Sequence, residues 1–287
     1  MKLKRRVEIV VISDVHLGTY GCQAKELLTY LNSIHPKKLI LNGDIIDIWQ
    51  FSKRYFPPSH LDVIKKILDM AANGTEVTYI TGNHDEMLRK ISDTHIGDFS
   101  IVDKLVLNLN GKRAWFFHGD VFDVSLQNAK WIAKLGGYGY DLLIRINSVI
   151  NWFLLKFGRE KYSLSKRIKN SVKRALKFIN DFEKVASDLA IENGFDYVVC
   201  GHIHQPKILE KSNKTGSTIY LNSGDWIENL TALEYHFGRW KIYVYKEDKL
   251  ALLSINEDVQ NIQVKDLITD ISKDSIKEEQ VTNEKII

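Results

Sequence analysis

The chain begins with a β-branched apolar run, VEIVVIS over residues 7–13, which stops at Asp14. A short apolar run closed by a polar residue predicts a strand. Residues 22–34 place Leu27, Leu28, Leu31 and Ile34 at helical spacing, so an amphipathic helix follows. The same reasoning gives a strand over 37–44, a helix over 59–72 with Leu61, Ile64, Ile67 and Leu68 inward, and a strand over 76–83. Strands alternating with helices predict an α/β fold whose functional loops gather at the carboxyl ends of the strands. The pattern then changes. Residues 104–120 alternate with period two around Asn110-Gly111, which predicts a hairpin. Residues 196–204, 217–226 and 231–245 read as further strands, and 125–193 as a helical block. From 248 to 287 the chain is polar and has no Pro, Gly or aromatic residue, which predicts a weakly helical or disordered tail.

Composition narrows this picture only slightly. At 287 residues, 44% hydrophobic and 26% charged, the chain can bury a full core as one large domain or one domain with an elaboration. A net charge of +4 does not argue for nucleic acid. Its distribution is uneven: 159–177 hold eight Lys/Arg against one Glu, and 257–287 hold eight Asp/Glu against four Lys. Cys22 and Cys200 give no disulfide framework and read as buried reduced thiols. The basic head of the chain precedes an apolar run broken by Glu8 and Asp14, a first strand in character and not a signal peptide. No uncharged stretch reaches the ~18–20 residues of a membrane span, so a cytoplasmic location is expected, peripheral to the membrane inner face if the insert described below contacts lipid.

Five polar clusters close strand-like runs: Asp14-Val15-His16, Gly43-Asp44, Gly82-Asn83-His84-Asp85, His118-Gly119-Asp120 and Gly201-His202-Ile203-His204. Singly each is weak, because a strand-end Asp is commonly a turn residue and a lone His a structural one. Together, carboxylates and imidazoles without thiolates suit divalent ions such as Mn, Fe, Zn or Co. In extended chain, residues two apart point the same way, so Asp14 with His16 and His202 with His204 are each expected to face one site, with Val15 and Ile203 turned to the core.

In this order the five motifs resemble the calcineurin-like metallophosphoesterase superfamily across residues 7–245. The resemblance implies an αββα sandwich of two mixed β-sheets flanked by helices, with a dinuclear metal centre at one end. It implies that Asp14, His16, Asp44 and His204 hold one ion and that Asp44, Asn83, His118 and His202 hold the other. Mn is the expected metal, with Fe, Zn, Co or Mg as alternatives. Two such ions, ~3.5–4 Å apart, would lower the pKa of a shared water for in-line attack and neutralise the phosphoryl oxygens. His84 would face the substrate as the acid, with Asp85 holding its ring and favouring imidazolium. Asp120, Asp123, Asn222 and Asp225 are candidates for ordering the loops or orienting the histidines.

The insert bears on the substrate. Residues 140–157 have a broad apolar face with Asp141, Arg145 and Ser148 on a narrow polar stripe, and 164–179 set Lys166, Lys169, Lys173 and Lys177 beside an apolar face. Such surfaces suit an acyl-bearing anion or an anionic membrane, and equally two cap helices packed on each other. With ISDVHLG and ILNGDIIDIW, a helical cap at this place is similar to the UDP-2,3-diacylglucosamine diphosphatases of lipid A synthesis. That resemblance implies a pyrophosphatase that splits UDP-2,3-diacylglucosamine into UMP and 2,3-diacylglucosamine 1-phosphate. Arg167, Lys169, Lys173 and Arg174 are the candidate phosphate-binding residues. The chain departs from that family's best-studied branch, which carries Arg where His84 stands. The expected organisation is a metallophosphoesterase domain of 1–124 and 194–247, an inserted cap of 125–193 and the tail. Other phosphomonoesters, cyclic nucleotides or nucleic acid are the alternative substrates, and a non-catalytic scaffold the remaining reading. Nucleic acid is disfavoured because Tyr138, Tyr140 and Trp152 sit in an apolar block.

Overall fold

Two mixed β-sheets face each other across the main core of the protein. The computed structural model describes residues 4–48, 55–125 and 164–248, without the side chains of 123–125 and 164–175. The chain divides into Met1–Val244 and Tyr245–Ile287. In the second unit only a 3-10 turn at Tyr245–Glu247 and Asp248 are described, so the expected tail lies outside the described residues. The same holds for the helix expected at 140–157.

The first sheet contains β1 (Arg5–Ile12), β2 (Ile34–Asn42), β3 (Glu76–Ile80), β4 (Thr94–Ile96), β5 (Phe99–Val102), β11 (Thr231–His236) and β12 (Arg239–Val244). Their order is β12-β11-β1-β2-β3-β5-β4, with β1, β2, β3 and β5 parallel. The second sheet contains β6 (Leu105–Leu109), β7 (Lys112–Phe116), β8 (Tyr197–Cys200), β9 (Lys207–Ser212) and β10 (Ser217–Asn222), ordered β6-β7-β8-β10-β9 with β7, β8 and β10 parallel. Period-two side chains explain the packing: Ile9, Val11, Ile40 and Ile80 of one sheet meet Ala114, Phe116, Val199 and Leu221 of the other.

Helices α1 (Ala24–Ser33) and α2 (Pro58–Ala72) belong to the first half and bury Leu27, Tyr30 and Leu31, and Val63, Ile67 and Met70. Helix α3 (Leu164–Glu192) falls within the stretch expected as an insert. Its carboxyl half packs Phe182, Ala186 and Ala190 against Phe117, Val198, Cys200 and Tyr220 on the outer face of the second sheet. Fully burying a side chain such as Phe182 contributes roughly 1.5–3 kcal/mol. Glu183, 1% exposed, adds a polar anchor by accepting from Lys207 at 2.6 Å and pairing with Lys211 at 3.0 Å, both on β9.

The hairpin expected around Asn110-Gly111 is β6–β7, with left-handed φ of 53° and 87° at the two turn residues, as a tight twisted turn requires. The β4–β5 hairpin and β9 are not foreshadowed by the sequence pattern.

Candidate metal centre

The polar clusters follow the parallel strands of both sheets. Asp14 and His16 come after β1, Asp44 after β2, Asn83 to Asp85 after β3, His118 after β7, and His202 and His204 after β8. Parallel strands all deliver their carboxyl ends to the same side, so two sheets converge on one site.

The local conformation differs from the extended one expected for the D-x-H and H-x-H pairs. β1 ends at Ile12 and β8 at Cys200, and Asp14, His16, Asp44, His202 and His204 all have left-handed φ of 53–66°. Asp and His tolerate that region better than bulky residues do. Each such residue stores roughly 1–3 kcal/mol of backbone strain that the surroundings must hold. Hydrogen bonds from Asp14 N to Gly43 O, and from Val15 N and His16 N to Asp44 O, lace the first two loops together. Val15 and Ile203 are buried, as the pattern required, but a curled loop puts them there.

Close approach also dictates glycine at two positions. A Cβ on Gly43, whose φ is +82°, would run into the His118 ring, and one on Gly82 into the Asp44 carboxylate.

Two ligand-rich groups result, Asp14 with His16 and His204, and Asp44 with His118 and His202. In each, the candidate donor atoms lie within 4.8 Å of one another. The first holds three of the four residues that the family resemblance implies for one ion, without Asp44, and the second three of the four implied for the other, without Asn83, which lies half-buried in the loop after β3. A third group joins His16, Asp44 and His84, so the first two are contiguous.

The donor chemistry fits divalent cations. His118 Nδ1 lies 2.9 Å from Asn42 O and must donate to that carbonyl. Its buried Nε2 has no hydrogen-bond partner, yet stands 3.2 Å from Asp44 Oδ2. His16 Nε2 is likewise buried without a partner, 4.0 Å from the same oxygen. Positive charge is needed between these atoms. Burial opposes charging of His118, but Asp44 outweighs burial and pushes its pKa well up. His204 is half-buried and 3.1 Å from Asp14; desolvation opposes its charging, and Asp14 lifts its pKa to about 9. Burial would raise Asp14 and Asp44, and the imidazoles reverse it: His204 brings Asp14 down to about 2, and His118 holds Asp44 well below the carboxylate range.

His84 is placed differently from expectation. Its backbone N donates to Asp44 Oδ1 at 2.8 Å and its ring meets His16 edge-on at 4.6 Å. The carboxylate against its ring is not Asp85. Asp85 is fully buried and its oxygens accept from Gly82 N at 2.5 Å, Ile45 N at 3.0 Å and Tyr79 Oη at 2.5 Å, so it ties the loops after β2 and β3 to the strand. Burial, then Asp44, raises its pKa. The ring partner is Asp47, 2% exposed, with Oδ2 3.0 Å from His84 Nδ1 and 3.5 Å from His16 Nδ1. Sequence reasoning missed it, although Asp47 follows Asp44 by three residues in GDIID.

The supporting residues also sort out. Asn222 donates to Gly201 O at 2.7 Å and to Tyr220 Oη at 3.3 Å and accepts from Gly224 N at 2.9 Å, so it shapes the loop after β8 and, among the described residues, meets no histidine ring. Asp225 Oδ2 is 3.8 Å from His204 Nδ1, while its Oδ1 accepts from the backbone N of Ile227 and Glu228. Asn229, also missed, donates to His204 O at 2.9 Å. Asp120 pairs with Arg89 at 2.6 Å and thereby links the loops after β3 and β7. The side chain of Asp123 and those of Arg167, Lys169, Lys173 and Arg174 lie outside the described residues.

Comparison with known proteins agrees with the motif reading. The family model for calcineurin-like phosphoesterases matches residues 7–206. The chain belongs to that family and is a metal-dependent phosphoester hydrolase. Its relatives include proteins named UDP-2,3-diacylglucosamine hydrolase: one from Blochmanniella pennsylvanica is 25% identical over 208 residues, covering 70% of this chain and 81% of the relative. Another, from Aliivibrio fischeri, is 22% identical over 232 residues, covering 79% and 94%. Among solved structures, Yfce, a phosphoesterase from E. coli, is similar with a TM-score of 0.42 at 13% identity, covering 83% of this chain and 92% of that one.

Proposed function

We propose that the protein hydrolyses the pyrophosphate of a lipid-linked nucleotide sugar, taking UDP-2,3-diacylglucosamine and water to UMP and 2,3-diacylglucosamine 1-phosphate. The observation that carries the reading is the contiguity of two His/Asp groups around Asp44, with the Asp47–His84 pair at their edge. Asp14, His16, Asp44 and His204 would hold one divalent cation, and Asp44, Asn83, His118 and His202 a second, with Mn the expected metal. Bound there, two cations supply an activated water and neutralise phosphoryl charge. Asp47 favours the imidazolium of His84, which stabilises charge on the leaving phosphate oxygen. Asp85 and Asp120 hold the loops that carry these groups.

The substrate class rests on the names of the relatives and on apolar side chains beside the site. Met87, Val121 and Leu176, on segments adjoining the site, are more than half exposed. Such surfaces favour acyl chains over a solvated polar substrate. The cap of 125–193, with Arg167, Lys169, Lys173 and Arg174, is proposed to bind the anionic headgroup and to contact an anionic membrane surface. Among the described residues no helix is long and apolar enough to cross a membrane.

The test is hydrolysis by the purified protein with Mn of UDP-2,3-diacylglucosamine, cyclic nucleotides and single-stranded DNA side by side. The reading predicts UMP release from the first at a kcat/KM at least about 100-fold above the others, a discrimination of about 2.7 kcal/mol. Preference for a cyclic nucleotide or DNA would overturn the substrate and leave the metal chemistry standing.

A further inference from the structure

The loop after β1 carries His16 and leads into an aromatic pair. Tyr20, four residues beyond His16, is 83% exposed, and its ring centroid stands 3.7 Å from that of the half-buried Tyr55. One face of the Tyr20 ring rests on Tyr55, and so high an exposure leaves the other face open to solvent. We propose that this open face stacks on the nucleobase of the substrate, which makes Tyr20 a specificity-determining residue; the inference rests on the nucleotide-bearing substrate proposed above.

The loop is braced at a fixed distance from the candidate metal ligands. Thr19 folds back on His16, whose carbonyl accepts from the Thr19 backbone N at 3.1 Å and from Thr19 Oγ1 at 2.9 Å. Leu17 N donates to Ile45 O at 2.8 Å, and Asp47 N donates to Leu17 O at 2.9 Å. The buried His60, in the first turn of α2, accepts from Gly18 N at 2.9 Å through Nδ1. Tyr55 and Phe56 meet the same ring edge-on, with centroids at 6.0 and 5.6 Å. His60 therefore joins the segments that bear Tyr20 and Tyr55. Four residues of extended chain reach at most about 14 Å, and the Thr19 turn shortens that span to one that a nucleotide covers from phosphate to base. A tyrosine left this exposed gains little from burial, so core packing does not account for it.

Strand order supplies a second argument. β2 lies between β1 and β3, and the loop after it carries Asp44. Aromatic rings gather at the loop after β1, whereas exposed aliphatic side chains follow β3 at Met87 and β7 at Val121. A nucleotide joined to an acylated sugar has the same polarity, with a flat base at one end, acyl chains at the other and the scissile phosphates between. Stacking requires a π-face, which the base offers and an acyl chain lacks.

The test is calorimetric titration of the full chain with Mn, using UMP and, as the ligand without a base, ribose 5-phosphate. The proposal predicts that wild type binds UMP at least about tenfold more tightly than ribose 5-phosphate. Tyr20→Phe, which keeps the ring, should retain that preference. Tyr20→Ala should lose it while binding ribose 5-phosphate as wild type does. Equal affinities in wild type, or a UMP preference that survives in Tyr20→Ala, would overturn the assignment. So would loss of ribose 5-phosphate binding in Tyr20→Ala, which would make Tyr20 a support of the loop. A Tyr20-dependent UMP preference in a protein that leaves UDP-2,3-diacylglucosamine intact would uphold the stacking face and overturn the lipid substrate instead.

Discussion

The Asp47 carboxylate faces two imidazoles at once, His84 at 3.0 Å and His16 at 3.5 Å, each through Nδ1. One buried charge thus fixes both a candidate metal ligand and the candidate acid. Asp47→Asn keeps the shape and removes the charge, so turnover is expected to fall about 10–100-fold. His84→Ala should cost about 10²–10⁴-fold in turnover, with bound metal retained on elemental analysis. The reading of Asp85 as the ring's partner failed for a geometric reason. Neighbouring residues project in different directions, and the loop turns Asp85 inward to accept two backbone N–H groups and the Tyr79 hydroxyl. The motif letters were legible in sequence. Which carboxylate meets which ring depends on left-handed φ values that no periodicity encodes.

Protonation at the site makes metal binding depend on pH. Asp14 raises His204 to about 9 and Asp44 raises His118 above its ordinary value, so both rings hold the imidazolium proton more tightly than a free histidine does. Asp14, lowered to about 2, stays ionised throughout and adds none. A cation must displace the imidazole protons, so affinity should rise with pH up to about 9. Calorimetry in buffers of different ionisation enthalpy should register protons released at pH 7.5. Metal uptake without proton release would contradict this protonation pattern.

At the scale of elements, the loops hold their shape because strands and helices clamp them. Gly43→Ala places a methyl group in the His118 ring at a left-handed backbone position. It should destabilise the fold by about 1–2 kcal/mol, seen as a lower urea midpoint, and weaken metal retention. Helix α3 is clamped to β9 by Glu183, whose loss in Glu183→Ala should cost about 1–3 kcal/mol, with Lys207 and Lys211 partly relieved by water. The strands of the βαβ half and the Asn-Gly hairpin could be read from period and turn chemistry. The β4–β5 hairpin could not, because 92–103 interleave Ser, Asp, Thr and His with few apolar residues, and pairing to β3 makes them strands. β9 is concealed for a similar reason: Lys207–Ser212 is largely solvent-facing, and its register comes from β10.

For the whole molecule, the two sheets bring the carboxyl ends of parallel strands to one side, where the ligand loops converge. Apolar side chains on Val121 and Leu176 lie on the segments flanking that side. Replacing both with Asn should raise KM for an acylated substrate at least about tenfold, or 1.4 kcal/mol, and leave a small chromogenic phosphodiester nearly unaffected. Equal losses on the two would argue against acyl recognition. The central claim is that Asp44 would serve in holding both of two divalent cations, which would supply the activated water for hydrolysis. Metal content and activity, measured together on the wild-type protein and on Asp44→Ala, test it most directly. The account predicts two divalent ions per wild-type chain, and in the variant loss of bound metal with activity reduced to background. Full activity or two retained ions in the variant would contradict it.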